Sequence, residues 1–184
     1  VIVAGNGSSF TTSNPNSSQA GVGTLNLSGG SLFAARSIIV GASYLGNTGT
    51  TTGTLNFTGG TITLSGSVPN TGLEIAKFAG ATGTVTMGSG TTLALLNGAS
   101  IIFGGNSPEA PTGGSFTQNG GTVSFSSGSG RIILGGTNPG GTFTYSLNGG
   151  LPRVNTITHS GGSIGVLELN GGTLTAGSNG VNLI

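Results

Sequence analysis

One short phrase recurs in six copies along this chain. It reads GTLNLSGGSL from Gly23, GTLNFTGGTI from Gly53 and GTVTMGSGTTL from Gly83. It then reads GSFTQNGGTV from Gly114, GTFTYSLNGGL from Gly141 and GVLELNGGTL from Gly165, at intervals of 30, 30, 31, 27 and 24 residues. A second phrase falls between the copies: VIVAG at Val1, IIVGA at Ile38, LEIAK at Leu73, IIFGG at Ile101 and IILGG at Ile132. Self-similarity at a period of about 28 residues marks a repeat array, in which each unit buries its apolar face only against its neighbours.

The unit is a strand, not a helix. Leu25 and Leu27 are apolar while Thr24 and Asn26 are polar, a period of two that describes a half-buried strand. A glycine roughly every five residues would cost a helix about 1 kcal/mol each. Stacking the copies predicts one inward column of Leu25, Leu55, Val85, Phe116, Phe143 and Leu167, and a second of Leu27, Phe57, Met87, Gln118, Tyr145 and Leu169. A third, beyond the Gly-Gly, is read as Leu32, Ile62, Leu93, Val123, Leu151 and Leu174, with a one-residue insertion in the copies from Gly83 and Gly141. Asn26, Asn56, Thr86, Thr117, Thr144 and Glu168 are expected to face out. The Gly-Gly pairs belong at corners, where glycine accepts positive φ without a steric penalty.

The expected fold is therefore all-β: a single β-solenoid, or parallel β-helix, over residues 1–184, with about six turns and no helix. Three strands per turn and a spacing of about 4.8 Å between turns give a rod about 30 Å long.

Composition then narrows the partners. Seven charged residues in 184, with a formal net charge of +1, leave no basic cluster for binding phosphates, so nucleic acid is not expected. No apolar run approaches the roughly 20 residues that span a membrane. With no cysteine, disulfides and thiolate metal sites are excluded. A neutral Ser/Thr/Asn surface fits an exported, protease-resistant wall or fibre protein, so the expected location is extracellular, on a cell surface.

The phrase G-T-L-x-L-x-G-G-x-L resembles the repeats of bacterial autotransporter passenger domains and related exported glycine-rich β-helix surface proteins. The resemblance covers nearly the whole chain and implies architecture rather than activity. Gln118 in an apolar column, Ser89 at a glycine corner and the shortened last period depart from the pattern.

Little catalytic chemistry is on offer. Glycoside hydrolysis needs two carboxylates across the sugar bond. Glu74, Glu109 and Glu168 are the only acids, and Glu74 and Glu168 fall three to four turns apart, so all three are expected to be isolated and solvated. His159, the only histidine, has no neighbouring acid with which to build a triad and is read as a turn residue. GGSIGV and GVGTL lack the Gly-Lys-Ser/Thr of a phosphate loop. No catalytic residue, cofactor or metal site is expected. Arg36 and Arg131 precede the second phrase and are read as solvated side chains, with contact to an anionic glycan or partner as the sharper alternative. Paired threonines such as Thr61/Thr63, Thr84/Thr86, Thr142/Thr144, Thr156/Thr158 and Thr173/Thr175 suit exposed strands. Stacked turn on turn they would resemble the ice-binding face of β-helical antifreeze proteins, although these pairs divide between the first and second strands.

The chain opens and closes inside repeats. The expected function is thus a structural surface protein that adds head to tail into a filament, itself its main partner. Val1, Ile2 and Val3 of one copy would meet Val181, Leu183 and Ile184 of another, a heterologous contact that does not close. An adhesin segment binding surface glycans and an ice-binding solenoid are the alternatives; a groove lined by aromatics such as Tyr44 or Tyr145 would favour the first, although Tyr145 falls in an inward column and is expected to pack.

Overall fold

The computed structural model describes residues 2–5, 21–43, 49–66, 71–104, 111–126, 130–136, 140–159, 161–176 and 182–183. Among them every regular element is a β-strand and none is a helix. β1 (Ile2–Gly5) precedes a turn made of β2 (Gly21–Ala34) and β3 (Ile38–Ala42), and the next holds β4 (Thr51–Ser65) and β5 (Gly72–Lys77). From there each turn has three strands: β6 (Ala81–Met87), β7 (Thr91–Leu96) and β8 (Ser100–Phe103), then β9 (Gly113–Gln118), β10 (Thr122–Phe125) and β11 (Arg131–Leu134). β12 (Thr142–Leu147), β13 (Leu151–Val154) and β14 (Thr156–His159) follow, then β15 (Ile164–Leu169), β16 (Thr175–Ala176) and β17 (Asn182–Leu183).

Each strand pairs in parallel with its counterpart one turn away, which makes the chain a β-solenoid. The second phrase forms a seven-stranded sheet, β1-β3-β5-β8-β11-β14-β17. The first phrase and the segment beyond its glycines share a ten-stranded sheet, because β2 and β4 run unbroken round the corner and join the two faces. About four turns, those opening at Thr51, Ala81, Gly113 and Thr142, have a filled interior. In the flanking turns Leu25, Leu27 and Leu167 are half-buried and Leu169 is exposed. The solenoid thus has about four turns where six sequence copies predict about six, since the first and last copies have a neighbour on one side only and do not close a filled turn.

The register confirms the first four members of each column and corrects the fifth member in all four. Leu25, Leu55, Val85 and Phe116 stack in order, but Tyr145 and not Phe143 continues them, and Leu167 follows. Likewise Leu27, Phe57, Met87 and Gln118 are followed by Leu147 and Leu169. The fifth copy is slipped by two residues because its extra residues lie before the glycines, and the corner sets the register. Phe143 instead stands opposite Gly114 and Gly165, fully buried, with its ring 6.2 Å from that of Phe103. In the third column Pro152, not Leu151, stacks on Val123. Pro152 is buried and Leu151 is 53% exposed. The outward column also shifts, running through Ser146 rather than Thr144 before Glu168.

Both glycines of a corner pair are needed, for different reasons. The second takes the left-handed conformation, as at Gly60 (φ 89°) and Gly150 (φ 89°), where a side chain is strained. The first lies against the turn below: a Cβ on Gly149 would come within 2.6 Å of the Asn119 carbonyl oxygen. In the turn containing Ser89, left-handed Gly90 (φ 73°) does the bending, so Ser89 is the inserted residue of a longer corner.

Candidate functional surfaces and buried polar groups

Among the described residues the two acids, Glu74 and Glu168, lie in different sheets, and the expectation that they are solvated fails for one of them. Glu74 lies on the outer face of the seven-stranded sheet, stacked between Ile39 and Ile102. It is 4% exposed, and its carboxylate meets the Lys77 ammonium at 2.6 Å. A buried charge needs such a partner. Lys77 also sits 5.3 Å from the centroid of the Phe78 ring, close enough for cation–π attraction. Glu168 is exposed as expected, and accepts a hydrogen bond from Ser146 Oγ at 2.6 Å. Glu109 lies outside the described residues.

His159 ends β14 and is not a turn residue. It stacks on Leu134, so it occupies an inner column at the half-open end. Its Nε2 is 2.6 Å from the Ser163 carbonyl oxygen. Among the described residues no cluster of three or more His, Cys, Asp or Glu could hold a metal ion. Among the described residues no helix is long and apolar enough to cross a membrane. Arg36 and Arg131 are exposed, as the sequence led us to expect.

The two misfits of the inner columns answer each other. Gln118 is fully buried, and its Oε1 accepts a hydrogen bond from the Tyr145 hydroxyl at 2.5 Å. Gln118 Nε2 donates to the Gly121 carbonyl at 3.2 Å. Tyr145 packs edge-on against Phe116, with centroids 5.1 Å apart, so it fills the core and is no glycan platform. Burial pushes its phenol well above the usual tyrosine range. Removing one partner leaves a buried polar atom unpaired, which costs about 1–3 kcal/mol, whereas removing both is nearly neutral. Gln118→Leu and Tyr145→Phe should therefore each destabilise by about 2 kcal/mol, and the double variant by less than the sum. Chemical denaturation of the four proteins measures this, and additive losses would show that the pair is not coupled. Because the folded phenol resists ionisation, its contribution is complete below about pH 10, where the unfolded tyrosine ionises, and is lost above it. Tyr145→Phe should flatten that alkaline decline.

Threonine forms a more ordered surface than the TxT pairs imply. Thr24, Thr54, Thr84, Ser115 and Thr144 make one continuous outward column. Beside it stand Thr52, Thr82 and Thr142, interrupted by Gly113. Thr86, Thr117 and Ser146 flank the other side. Thr61 and Thr173 remain off this face, as expected.

Sequence reading missed an asparagine ladder. Asn-Gly-Gly occurs at Asn119, Asn148 and Asn170. Asn148 Nδ2 donates to Asn119 Oδ1 at 2.9 Å, and Asn170 Nδ2 to Asn148 Oδ1 at 3.0 Å. The triple NGG was the available signal.

Of the residues expected at the ends, Ile2 and Val3 lie in β1 and Leu183 in β17. Val1, Val181 and Ile184 lie outside the described residues, as does Tyr44. Compared with protein-family models, curated proteins and solved structures, the chain matches none.

Proposed function

We propose that this chain is a segment of a stiff, non-enzymatic rod, a structural part of an exported surface protein. One observation carries the reading: parallel ladders and filled inner columns continue from turn to turn, so the molecule is built as an axial stack. Stiffness along the axis is what such a stack provides. The resemblance to autotransporter passenger repeats and the nearly uncharged surface point the same way. The finer form of the reading is end-to-end addition, with β1 of one copy extending the sheet that ends in β17 of another. Frozen-hydrated microscopy of the concentrated protein tests both levels. Rods that lengthen with concentration support the filament. Short rods of constant length support a stack continued within one polypeptide. Round or irregular particles overturn the rod.

The threonine columns favour one second reading, an ice-binding face. Turns about 4.8 Å apart and alternate residues about 6.7 Å apart along a strand make a two-dimensional grid of methyl and hydroxyl groups. Its two repeats lie close to those of oxygen atoms on exposed planes of ice. A measurable gap between melting and freezing points, abolished by Thr84→Lys at the centre of the grid, is the expected result. No gap in the unaltered protein ends this reading.

A further inference from the structure

The three Asn-Gly corners carry the same dipeptide in the same place, yet their surroundings differ in two ways that bear on one reaction. In Asn-Gly the glycine nitrogen, once deprotonated, attacks the asparagine Cγ. A C–N bond forms, the Cγ–Nδ2 bond breaks and ammonia leaves, giving a five-membered succinimide. Water then opens one carbonyl or the other, yielding Asp or isoaspartate. The balance is one water in and one ammonia out, with no oxidant or catalyst required.

At the two upper corners both reacting groups are tied down. The Gly149 N–H donates to the Gln118 carbonyl at 3.1 Å and the Gly171 N–H to the Leu147 carbonyl at 3.0 Å. Asn148 Nδ2 and Asn170 Nδ2 each donate to the asparagine one turn below. These bonds exist because the corners superpose: Gln118, Leu147 and Leu169 stack, and each is followed by Asn-Gly-Gly.

Asn119 stands on a different corner. Below it the chain runs Met87-Gly88-Ser89-Gly90-Thr91, one residue longer between paired positions, since Met87 pairs with Gln118 and Thr92 with Thr122. The Asn119 N–H reaches the Met87 carbonyl at 2.8 Å, so Asn119 stacks on Gly88, which has no side chain, where Asn148 and Asn170 each stack on an asparagine. Among the described residues the Gly120 N–H has no backbone acceptor, and Asn119 Nδ2 has no partner. Asn119 serves its ladder only as an acceptor, and it is solvent-exposed. A fourth described Asn-Gly, at Asn97, lies on another corner with its Nδ2 on Ser65 Oγ at 2.9 Å.

We propose that Asn119–Gly120 is a site of spontaneous deamidation in the folded protein, and that the ladder holds Asn148 and Asn170 unreactive. An aspartate at 119 would still accept from Asn148, so that product keeps the ladder. Isoaspartate adds a carbon to the backbone at a corner whose register is set by close stacking, and would open it. This inference stands on the corner geometry alone and not on the rod reading.

Incubating the native chain at mildly alkaline pH, with peptide mapping by mass spectrometry, tests it. The same chain in denaturant is the reference, where the three dipeptides should react at similar rates. In the native chain Asn119 should convert at least about tenfold faster than Asn148 or Asn170, a factor equal to about 1.4 kcal/mol of local opening. Asn119→Ala removes the acceptor of Asn148 and should speed conversion at 148 several-fold relative to 170. Equal native rates at the three sites overturn the proposal, including no detectable reaction at any of them while the denatured reference reacts. So does an unchanged rate at Asn148 in Asn119→Ala.

Discussion

Gly83→Ala is expected to cost about 3 kcal/mol, the upper end of what overpacking a core usually costs. The added methyl would lie 2.3 Å from the Val40 carbonyl oxygen, 2.7 Å from Ile75 Cγ2 and 2.8 Å from the Ala76 nitrogen. Two of the three obstacles are backbone, so no rotamer change relieves them. Gly83 stacks on Gly53 and below Gly114, and a Cβ on Gly114 would likewise come within 2.9 Å of Ile75 Cγ2. Except in the fifth copy, where Phe143 takes this place, the first-phrase strands lack side chains at this position because the seven-stranded sheet packs directly against them. Gly88→Ala is the matched control: its Cβ would meet nothing closer than 3.5 Å, and its effect should stay within about 0.5 kcal/mol. Chemical denaturation compares the two, and hydrogen exchange in β5 and β6 shows whether the loss is local. Equal stability of the two variants would mean that the sheets can separate to admit a methyl group, and the close approach would then not be a constraint.

The architecture was legible in the sequence because a solenoid repeats its physics every turn. Leu25, Leu55 and Val85 are one decision made three times, and an error in any copy is outvoted by the rest. The fifth copy shows where that logic fails. GTFTYSLNGGL offers two anchors, its opening Gly-Thr and its closing Gly-Gly. Alternation cannot choose between them, because a slip of two keeps every residue on the same face. The corner decides, through a backbone contact at Gly149 that no hydropathy pattern encodes. Pro152 was misplaced for a related reason: a one-residue shift swapped it with Leu151, and apolarity alone preferred the leucine. Polar residues were harder still. Gln118 looked like a flaw and Tyr145 like ordinary packing, because their hydrogen bond joins atoms 27 residues apart. The threonine face escaped because its columns take one residue from each turn, so a search for TxT along the chain runs across them.

Lys77→Met should be the other severe substitution, at about 3 kcal/mol, since removing one partner of a buried pair leaves the second charge without compensation. The value sits at the lower edge of that range because the Lys77 side chain keeps 24% of its surface exposed, against 5% for Glu74. Strict alternation would place residues 74 and 77 on opposite faces. Ala76 prevents this by adopting a left-handed conformation (φ 57°), at a position where the turns above and below have Gly41 (φ 74°) and Gly104 (φ 84°). The kink brings Lys77 back to the carboxylate. Ion pairing therefore explains why Glu74 is tolerated in a column whose neighbours are Ile39 and Ile102. It does not make the pair the most stable choice, because well-packed apolar replacements of a buried pair are often neutral or better. Glu74→Leu combined with Lys77→Met would extend the aliphatic column and should return stability to within about 1 kcal/mol of the unaltered protein. Thermal and chemical denaturation of Lys77→Met and the double variant decide the matter. A double variant as unstable as Lys77→Met would show that the lysine acts through its packing on Phe78 and not through the carboxylate.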